Sequence, residues 1–481
     1  MSEIREECGV FGIYSPKKEN LSQIVYFGLF SLQHRGQESC GIAVNNEGIF
    51  SSYKDLGLVN DVITPSVIDK LGEGNIAVGH VRYGTTGGNE RSNAQPIVVN
   101  HIKGSMALAH NGNLINSYEL RSEFEAKGSI FHTTSDTEVI AHTIIEERLK
   151  ADTIEEAVCK AMNRIKGAYS MVIMSPQKLI AARDENGFRP LCYGKTANGE
   201  YVVASESCSL DSVGAEFIRD IEKGEIVVFG KDGITSIKKH CNKSKQTLCV
   251  FEYIYFARPD SIIDGKNVYE ARIKAGEILA KEHPVNADIV VGVPDSGLDA
   301  ALGYSKASGI PYGIGLIKNK YIGRTFIHPE VKSRMDRVKI KLNPMANVVK
   351  GKRVILIDDS IVRGTTSGRI VKLLREAGAI EVHMRVSAPP FVNPCYYGID
   401  IDSKDNLIAC KYTIEEIAKK IGADTLGYLS LEGVKKIGYV NEKSGFCIAC
   451  FDGNYPTKIP TETFKNRFER KINNIDKEKS K

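Results

Sequence analysis

The chain has 481 residues, 42% of them hydrophobic and 26% charged, with a formal net charge of +5. That length exceeds one ordinary core and calls for two or more domains, and the composition is that of a soluble globular protein. No apolar run reaches membrane-spanning length, no secretory signal pattern opens the chain, and the mild positive charge gathers in a solvated stretch, Lys465 to Lys481, rather than on a nucleic-acid surface. Up to about residue 235, short apolar runs at 41–44, 75–80, 106–110, 169–174 and 201–204 predict strands. Helical periodicities at 21–33, 116–127, 135–150 and 153–166 accompany them, which predicts a layered α+β domain. The polar segment 238–246 reads as a linker. Beyond it strands and helices alternate (287–293 then 298–307, 354–357 then 365–377, then 382–387), the pattern of a doubly wound parallel sheet.

The opening runs from a charged leader into Cys8-Gly9-Val10-Phe11-Gly12-Ile13. This resembles the start of class II glutamine amidotransferases, which use an N-terminal nucleophile. A free α-amine, with a pKa of about 8, can act as base for the adjacent thiol without a histidine. Cys8 is not residue one, so the resemblance implies removal of a propeptide, residues 1–7. Further segments follow in order. Gly79 to Thr85 resembles the segment whose arginine, here Arg82, clamps the glutamine α-carboxylate. His110-Asn111-Gly112-Asn113-Leu114 resembles the oxyanion segment, with the Asn111 amide and the Gly112 N–H as donors. Thr134 to Glu138 resembles the segment whose aspartate, here Asp136, binds the α-ammonium. Gln33 to Ser39 and Ser92 to Pro96 complete the set. Taken singly, Asn111-Gly112 is also a hairpin turn and Asp136 also a helix cap.

The second half carries Val354-Ile355-Leu356-Ile357-Asp358-Asp359-Ser360-Ile361-Val362-Arg363-Gly364-Thr365-Thr366-Ser367. A buried strand, two carboxylates, a loop of small residues and a helix build a phosphate site at the crevice of an α/β sheet. The loop lacks the Gly-Lys-Ser/Thr ending of a Walker motif and is no dinucleotide fingerprint. It resembles the phosphoribosylpyrophosphate (PRPP) motif of type I phosphoribosyltransferases. The resemblance implies that Asp358 and Asp359 hold ribose hydroxyls or Mg²⁺, and that Ser360, Arg363, Gly364, Thr365, Thr366 and Ser367 bind PRPP, with 363–367 around its 5-phosphate. Val293 to Gly297 resembles the pyrophosphate-side loop, with Ser296 beside the metal. Lys318 to Phe326, including Lys318 and Tyr321, reads as a lid over the leaving group, with Arg334, Arg337, Lys339 and Lys341 continuing its charge.

Eleven scattered cysteines in a chain without a signal pattern argue for reduced thiols rather than a disulfide framework. Cys447-x-x-Cys450 alone leaves a redox pair, half a zinc site or two core thiols open. Together the motifs identify the chain, from Cys8 to about Tyr455, as resembling the amidophosphoribosyltransferase (glutamine PRPP amidotransferase) family, in its propeptide and iron-sulfur branch. That resemblance implies Cys249, Cys395, Cys447 and Cys450 as ligands of one 4Fe-4S cluster, zinc being the rival, and one Mg²⁺ at Ser296, Asp358 and Asp359. It implies a propeptide (1–7), an N-terminal-nucleophile hydrolase domain layered α/β/β/α (8–235), a type I phosphoribosyltransferase domain with a parallel sheet (236–465) and a basic tail (466–481). The expected activity is glutamine hydrolysis at Cys8, with ammonia passed to PRPP, in a cytoplasmic homotetramer inhibited by purine nucleotides. A PRPP-sensing regulator that keeps only the fold has no need of Cys8, Arg82, Asn111, Gly112 and Asp136. An amidotransferase for another acceptor has no need of the Asp-Asp loop.

Overall fold

In the computed structural model the described residues are 8–84, 88, 90–319, 342–401, 403–438 and 445–460. The leader, the basic tail, Thr85 and the segment 320–341, with Tyr321, Arg324, Arg334, Arg337, Lys339 and Lys341, lie outside them.

The first half is a sandwich of two antiparallel sheets. The seven-stranded sheet runs from edge to edge as Ala215–Asp220, Cys192–Thr196, Tyr201–Ala204, Gly9–Glu19, Gly74–Arg82, Ser39–Asn46 and Ile49–Leu56. The six-stranded sheet runs Gly233–Ile237, Ile226–Gly230, Leu179–Arg183, Gly167–Met174, Gly104–Leu114 and Ile97–His101. Alternation along the central strand shows why both faces are buried. Phe11 and Ile13 pack against Val25 and Leu29 of the helix Leu21–Ser31, whereas Val10 and Tyr14 face the other sheet with Val172 and Leu179. Gly12 lets the sheets approach, since a Cβ there would stand 2.5 Å from the Val172 side chain. Helices Ser117–Ala126, Asp136–Leu149 and Ile154–Ala161 cover the second sheet through Leu120, Phe124, Ile140, Ile144 and Val158. The layering is therefore α/β/β/α, as expected. The helix expected over 153–166 ends at Ala161, because the chain turns there to bury Met162 and Ile165 beneath the sheet.

The second half has a four-stranded parallel sheet ordered Ile289–Gly292, Arg353–Asp358, Glu381–Val386 and Thr425–Tyr428. After the helix Gly297–Ser308 the chain bridges in parallel at Tyr312 to Val290, on the free side of the first strand. It then returns to lay Arg353–Asp358 on the other side. The topology thus reverses between Ile289–Gly292 and Arg353–Asp358, which makes the carboxyl ends of these two strands the switch point where α/β sheets bind ligands. Helix Val268–Glu282 packs on Gly297–Ser308, and Thr365–Glu376 on Ile414–Ile421. No helix among the described residues is long and apolar enough to cross a membrane.

The halves share buried surface. Leu248–Cys249 pairs in parallel with Phe446–Cys447 beside Phe188 of the first half, whose carbonyl accepts from the Cys249 N–H at 3.1 Å.

Candidate active sites

Every segment singled out in the first half meets at one end of the sandwich. Gly9 pairs with Val81, so Cys8 sits at the strand mouth beside Arg82. Cys8 is buried, and its thiol donates to the Tyr83 carbonyl at 3.5 Å. The Cys8 carbonyl accepts from Arg35 Nε at 3.0 Å. Gly36 lies flat on the Arg82 strand, where a Cβ would stand 2.5 Å from the Val81 carbonyl carbon. Arg82 donates to the Gly88 carbonyl at 3.4 Å, and the Asn93 amide donates to the same oxygen at 2.9 Å and to Thr134 Oγ1 at 2.9 Å. Gln95 joins two further segments, donating to Thr137 Oγ1 at 3.0 Å and accepting from the His110 N–H at 2.8 Å.

Asn111 and Gly112 lie inside the strand Gly104–Leu114, opposite Ser170 and Tyr169, and not at a hairpin turn. Gly112 has φ +143°, and a Cβ there would stand 2.1 Å from the Ala168 carbonyl oxygen, so only glycine fits. The Asn111 side chain is buried and its amide Nδ2 makes no hydrogen bond to any of the described residues. A buried donor without a partner costs about 1–3 kcal/mol, a penalty retained where a ligand is to supply the acceptor. Asp136 is not the cap of its helix: Ser135 is, accepting from the Thr137 N–H. One Asp136 oxygen instead accepts from the Leu114 N–H at 2.9 Å, tying the helix start to the Asn111 strand.

In the second half, Asp358 ends its strand at the switch point, followed by Asp359 and Ser360, and all three are buried. Ser296 Oγ donates to Asp359 Oδ2, so the two loops expected to share a sheet edge do so. Ser360 Oγ donates to the other Asp359 oxygen, and the Asp359 N–H donates to Asp358 Oδ1 at 3.0 Å. Burial pushes both carboxyls up, most strongly Asp358, which also feels the Asp359 charge. Gly364, at φ +78°, caps the helix Thr365–Glu376, so Thr365, Thr366 and Ser367 occupy its first turn, the end of a helix that favours an anion. Arg363 is exposed at the loop's start. Lys318 pairs with Asp295 of the neighbouring loop.

Cys249, Cys395, Cys447 and Cys450 line one small cavity with Phe188, Tyr397, Ile399, Ala449 and Tyr455. Burial pushes the Cys447 thiol up to about 12 and Cys450 well above the ordinary range. Among the described residues no three His, Cys, Asp or Glu side chains gather on a single ion.

A charged network links the halves: Arg35 lies in the segment Gln33–Ser39, but no motif announced Glu206 or Glu252. Arg35, fully buried, donates to Glu206 at 2.6 Å and to both Glu252 oxygens at 2.9 and 2.8 Å. Burial opposes the charge on Glu206, but His34 and Arg35 outweigh it and hold its carboxyl below the usual carboxylate range. Glu252 is a lone acid in the apolar run Val250-Phe251-Glu252-Tyr253-Ile254, and that isolation was the one sequence signal for it.

A glutamine amidotransferase domain model matches residues 82–212, and a phosphoribosyl transferase domain model matches residues 261–418. The chain is similar to the amidophosphoribosyltransferase of Methanocaldococcus jannaschii, at 50% identity over 475 residues, 96% of this chain and 100% of that protein. It is 49% identical over 464 residues to the Bacillus subtilis amidophosphoribosyltransferase, covering 96% of each. Among solved structures it is similar to the glutamine PRPP amidotransferase from B. subtilis complexed with ADP and GMP, with a TM-score of 0.88 and 48% identity over 95% of this chain and 99% of that one. A structure described as the allosteric regulatory enzyme of purine biosynthesis gives a TM-score of 0.89 and 47% identity over 97% of this chain and 99% of that one. A glutaminase-type sandwich, a PRPP-type loop at a switch point and relatives matched along their whole length lead to one conclusion: the chain belongs to the amidophosphoribosyltransferase family.

Proposed function

We propose that this chain transfers the amide nitrogen of glutamine to PRPP, giving 5-phosphoribosylamine, glutamate and pyrophosphate, the first step of de novo purine (IMP) synthesis. The observation that carries this reading is the unpartnered, buried amide of Asn111 beside the Cys8 mouth, on the same chain as a buried Asp358–Asp359 pair at a switch point.

After removal of residues 1–7, the Cys8 α-amine takes the thiol proton and Sγ attacks the glutamine carboxamide. Asn111 Nδ2 and the Gly112 N–H donate to the oxyanion. Arg82 pairs with the α-carboxylate and Asp136 with the α-ammonium. The C–N bond breaks, ammonia leaves, and water hydrolyses the thioester to glutamate. The ammonia passes within the protein to the second site and bonds to ribose C1 as the bond to pyrophosphate breaks. Asp358 and Asp359 hold the ribose hydroxyls. Ser360, Arg363, Gly364, Thr365, Thr366 and Ser367 hold the 5-phosphate end, and Lys318 faces the leaving group.

Two carboxylates and a serine hydroxyl are hard oxygen donors that suit Mg²⁺, and Ser296, Asp358 and Asp359 would hold it. When bound, it neutralises charge on the departing pyrophosphate. Four thiols around an apolar cavity suit a 4Fe-4S cluster, in which each thiolate binds a different iron, better than one zinc, on which four sulfurs converge. The glutaminase domain would span 8–235 and the transferase domain 236–465. The B. subtilis protein complexed with ADP and GMP supports purine nucleotides as inhibitors here. We place the enzyme in the cytoplasm as a homotetramer.

The test is isotopic. With amide-¹⁵N glutamine, PRPP and Mg²⁺ and no added ammonium, the amine product carries ¹⁵N and forms one-to-one with pyrophosphate. Unlabelled product, or glutamate without pyrophosphate, overturns the reading. On the same preparation, intact mass gives a chain starting at Cys8 and metal analysis gives iron. Active enzyme retaining Met1, or holding one zinc and no iron, overturns the propeptide or the cluster.

A further inference from the structure

The nucleophile and its oxyanion donors stand on different sheets of the sandwich. Cys8 precedes a strand of the seven-stranded sheet, whereas Asn111 and Gly112 lie in the six-stranded one. Between the sheets Val10, Ala43, Val78, Ala107, Ala109 and Val172 make an apolar layer. Apolar packing holds two sheets together but has no direction, so it leaves their shift along each other weakly fixed. A buried histidine crosses this layer at the Cys8 end. His80, with no solvent exposure, lies opposite Val10 and Gly41 in the first sheet, and its Nε2 stands 3.0 Å from the His110 carbonyl oxygen in the second. A carbonyl only accepts, so Nε2 carries the proton and donates. Burial pushes the ring's pKa down to about 3 despite this bond, so the ring is neutral and its Nδ1 keeps a lone pair. Nδ1 finds no hydrogen bond among the described residues, which leaves the bond to His110 as the polar contact the ring is buried for.

The bond falls where the second sheet has lost a strand. Ile97–His101 stops opposite Leu108, and beyond that point two side chains replace it: Gln95 accepts from the His110 N–H at 2.8 Å and His80 donates to the His110 carbonyl. We infer that His80 is a positioning residue for glutamine hydrolysis, its hydrogen bond to His110 setting the oxyanion donors Asn111 and Gly112 against Cys8. The inference rests on the function proposed above. The His110 carbonyl and the Asn111 nitrogen belong to one rigid peptide plane, so a fixed carbonyl fixes the start of Asn111. At the far end of the sandwich a second polar tie, from Asn45 Nδ2 to the Pro176 carbonyl at 3.0 Å, joins the sheets away from the site and serves as the control.

The experiment follows glutamine hydrolysis and ammonia-dependent synthesis in the full-length enzyme with PRPP and Mg²⁺ present. His80→Met removes the donor. The kcat for glutamine falls roughly 10- to 100-fold, the range for displacements of up to about 1 Å, with KM little changed because the displaced donors act in the transition state. His80→Gln, whose amide nitrogen reaches the place of Nε2, recovers most of the loss. His80→Asn, whose amide reaches only the place of Nδ1, does not. Alkylation of Cys8 by iodoacetamide, followed by peptide mass mapping, forms no oxyanion and keeps its unmodified rate in all three, as does ammonia-dependent synthesis. Asn45→Ala lowers the melting temperature and leaves kcat unchanged. An unchanged kcat in His80→Met and His80→Asn, a His80→Gln no better than His80→Asn, alkylation slowed in step with hydrolysis, or an equal loss of kcat in Asn45→Ala overturns the inference. If His80→Met fails to fold, the contrast between His80→Gln and His80→Asn decides. Absence of any PRPP consumption by the unmodified enzyme, with glutamine or ammonia, would instead overturn the proposed function.

Discussion

Asn113 donates through its side-chain amide to the carbonyl of Tyr396 at 2.9 Å, across 283 positions of chain. This bond fastens the strand that carries Asn111 and Gly112 to the loop that carries Cys395. The same loop passes close behind the oxyanion segment, for a Cβ on Gly398 would stand 3.6 Å from the Gly112 carbonyl carbon. Asn113→Ala should lower glutamine-dependent turnover by about tenfold, the cost of one net hydrogen bond of about 1 kcal/mol together with a misplaced neighbour. Ammonia-dependent synthesis should stay near normal. Parallel steady-state assays with the two nitrogen sources check this.

The unpartnered amide of Asn111 makes a sharper prediction. If it waits for the oxyanion, Asn111→Ala removes a bond that forms only in the transition state. The kcat for glutamine should fall by about 10²- to 10³-fold with KM little changed, while stability holds or rises slightly because a buried orphan donor is gone. Kinetics and thermal melts on one preparation separate the two effects. An equal rise in KM with kcat unchanged would make Asn111 a substrate-binding group instead.

The Asp358–Asp359 pair links the second site to pH. Burial raises both carboxyls above their unfolded values, Asp358 most. The folded chain therefore holds protons that the unfolded chain gives up. No penalty exists below the unfolded carboxylate pKa; it grows as pH rises from there through the folded values. Asp358→Asn should raise the melting temperature at neutral pH, with the gain vanishing towards acid pH, and should abolish synthesis with either nitrogen source. Melting curves across pH check the sign: a gain that grew towards acid pH would contradict it. Binding of Mg²⁺ and PRPP to the native pair should release protons, which calorimetry in buffers of different ionisation enthalpy detects.

What could be read from the chain followed from how locally each feature is written. The β-αβ order around Asp358 and the small residues from Gly364 to Ser367 are contiguous, so strand, loop and helix appear together in the sequence. Cys8, Asn111 and Asp136 stood out as candidates because their chemistry allows few residue types, although their neighbourhood is built by long-range hydrogen bonds such as those of Asn93 and Gln95. The bland readings of Asn111-Gly112 as a turn and Asp136 as a cap fail because pairing with Ser170 and Tyr169, and the bond from Leu114, override local preference. The reversal that makes the switch point rests on a single bridge at Tyr312, too short to show as a strand. Arg35 and Glu252 are 217 positions apart, and nothing in either segment names its partner. Ion pairs of this kind belong to tertiary structure, and only the oddity of an acid in an apolar run hints at one.

The central claim is that one chain makes ammonia at Cys8 and uses it at the Asp358 loop. The most direct measurement is 5-phosphoribosylamine formation by Cys8→Ala with glutamine and, separately, with ammonium salt. Glutamine-dependent synthesis falls to background while ammonia-dependent synthesis stays close to that of the unmodified enzyme. Loss of both activities, or survival of the glutamine-dependent one, would contradict the account.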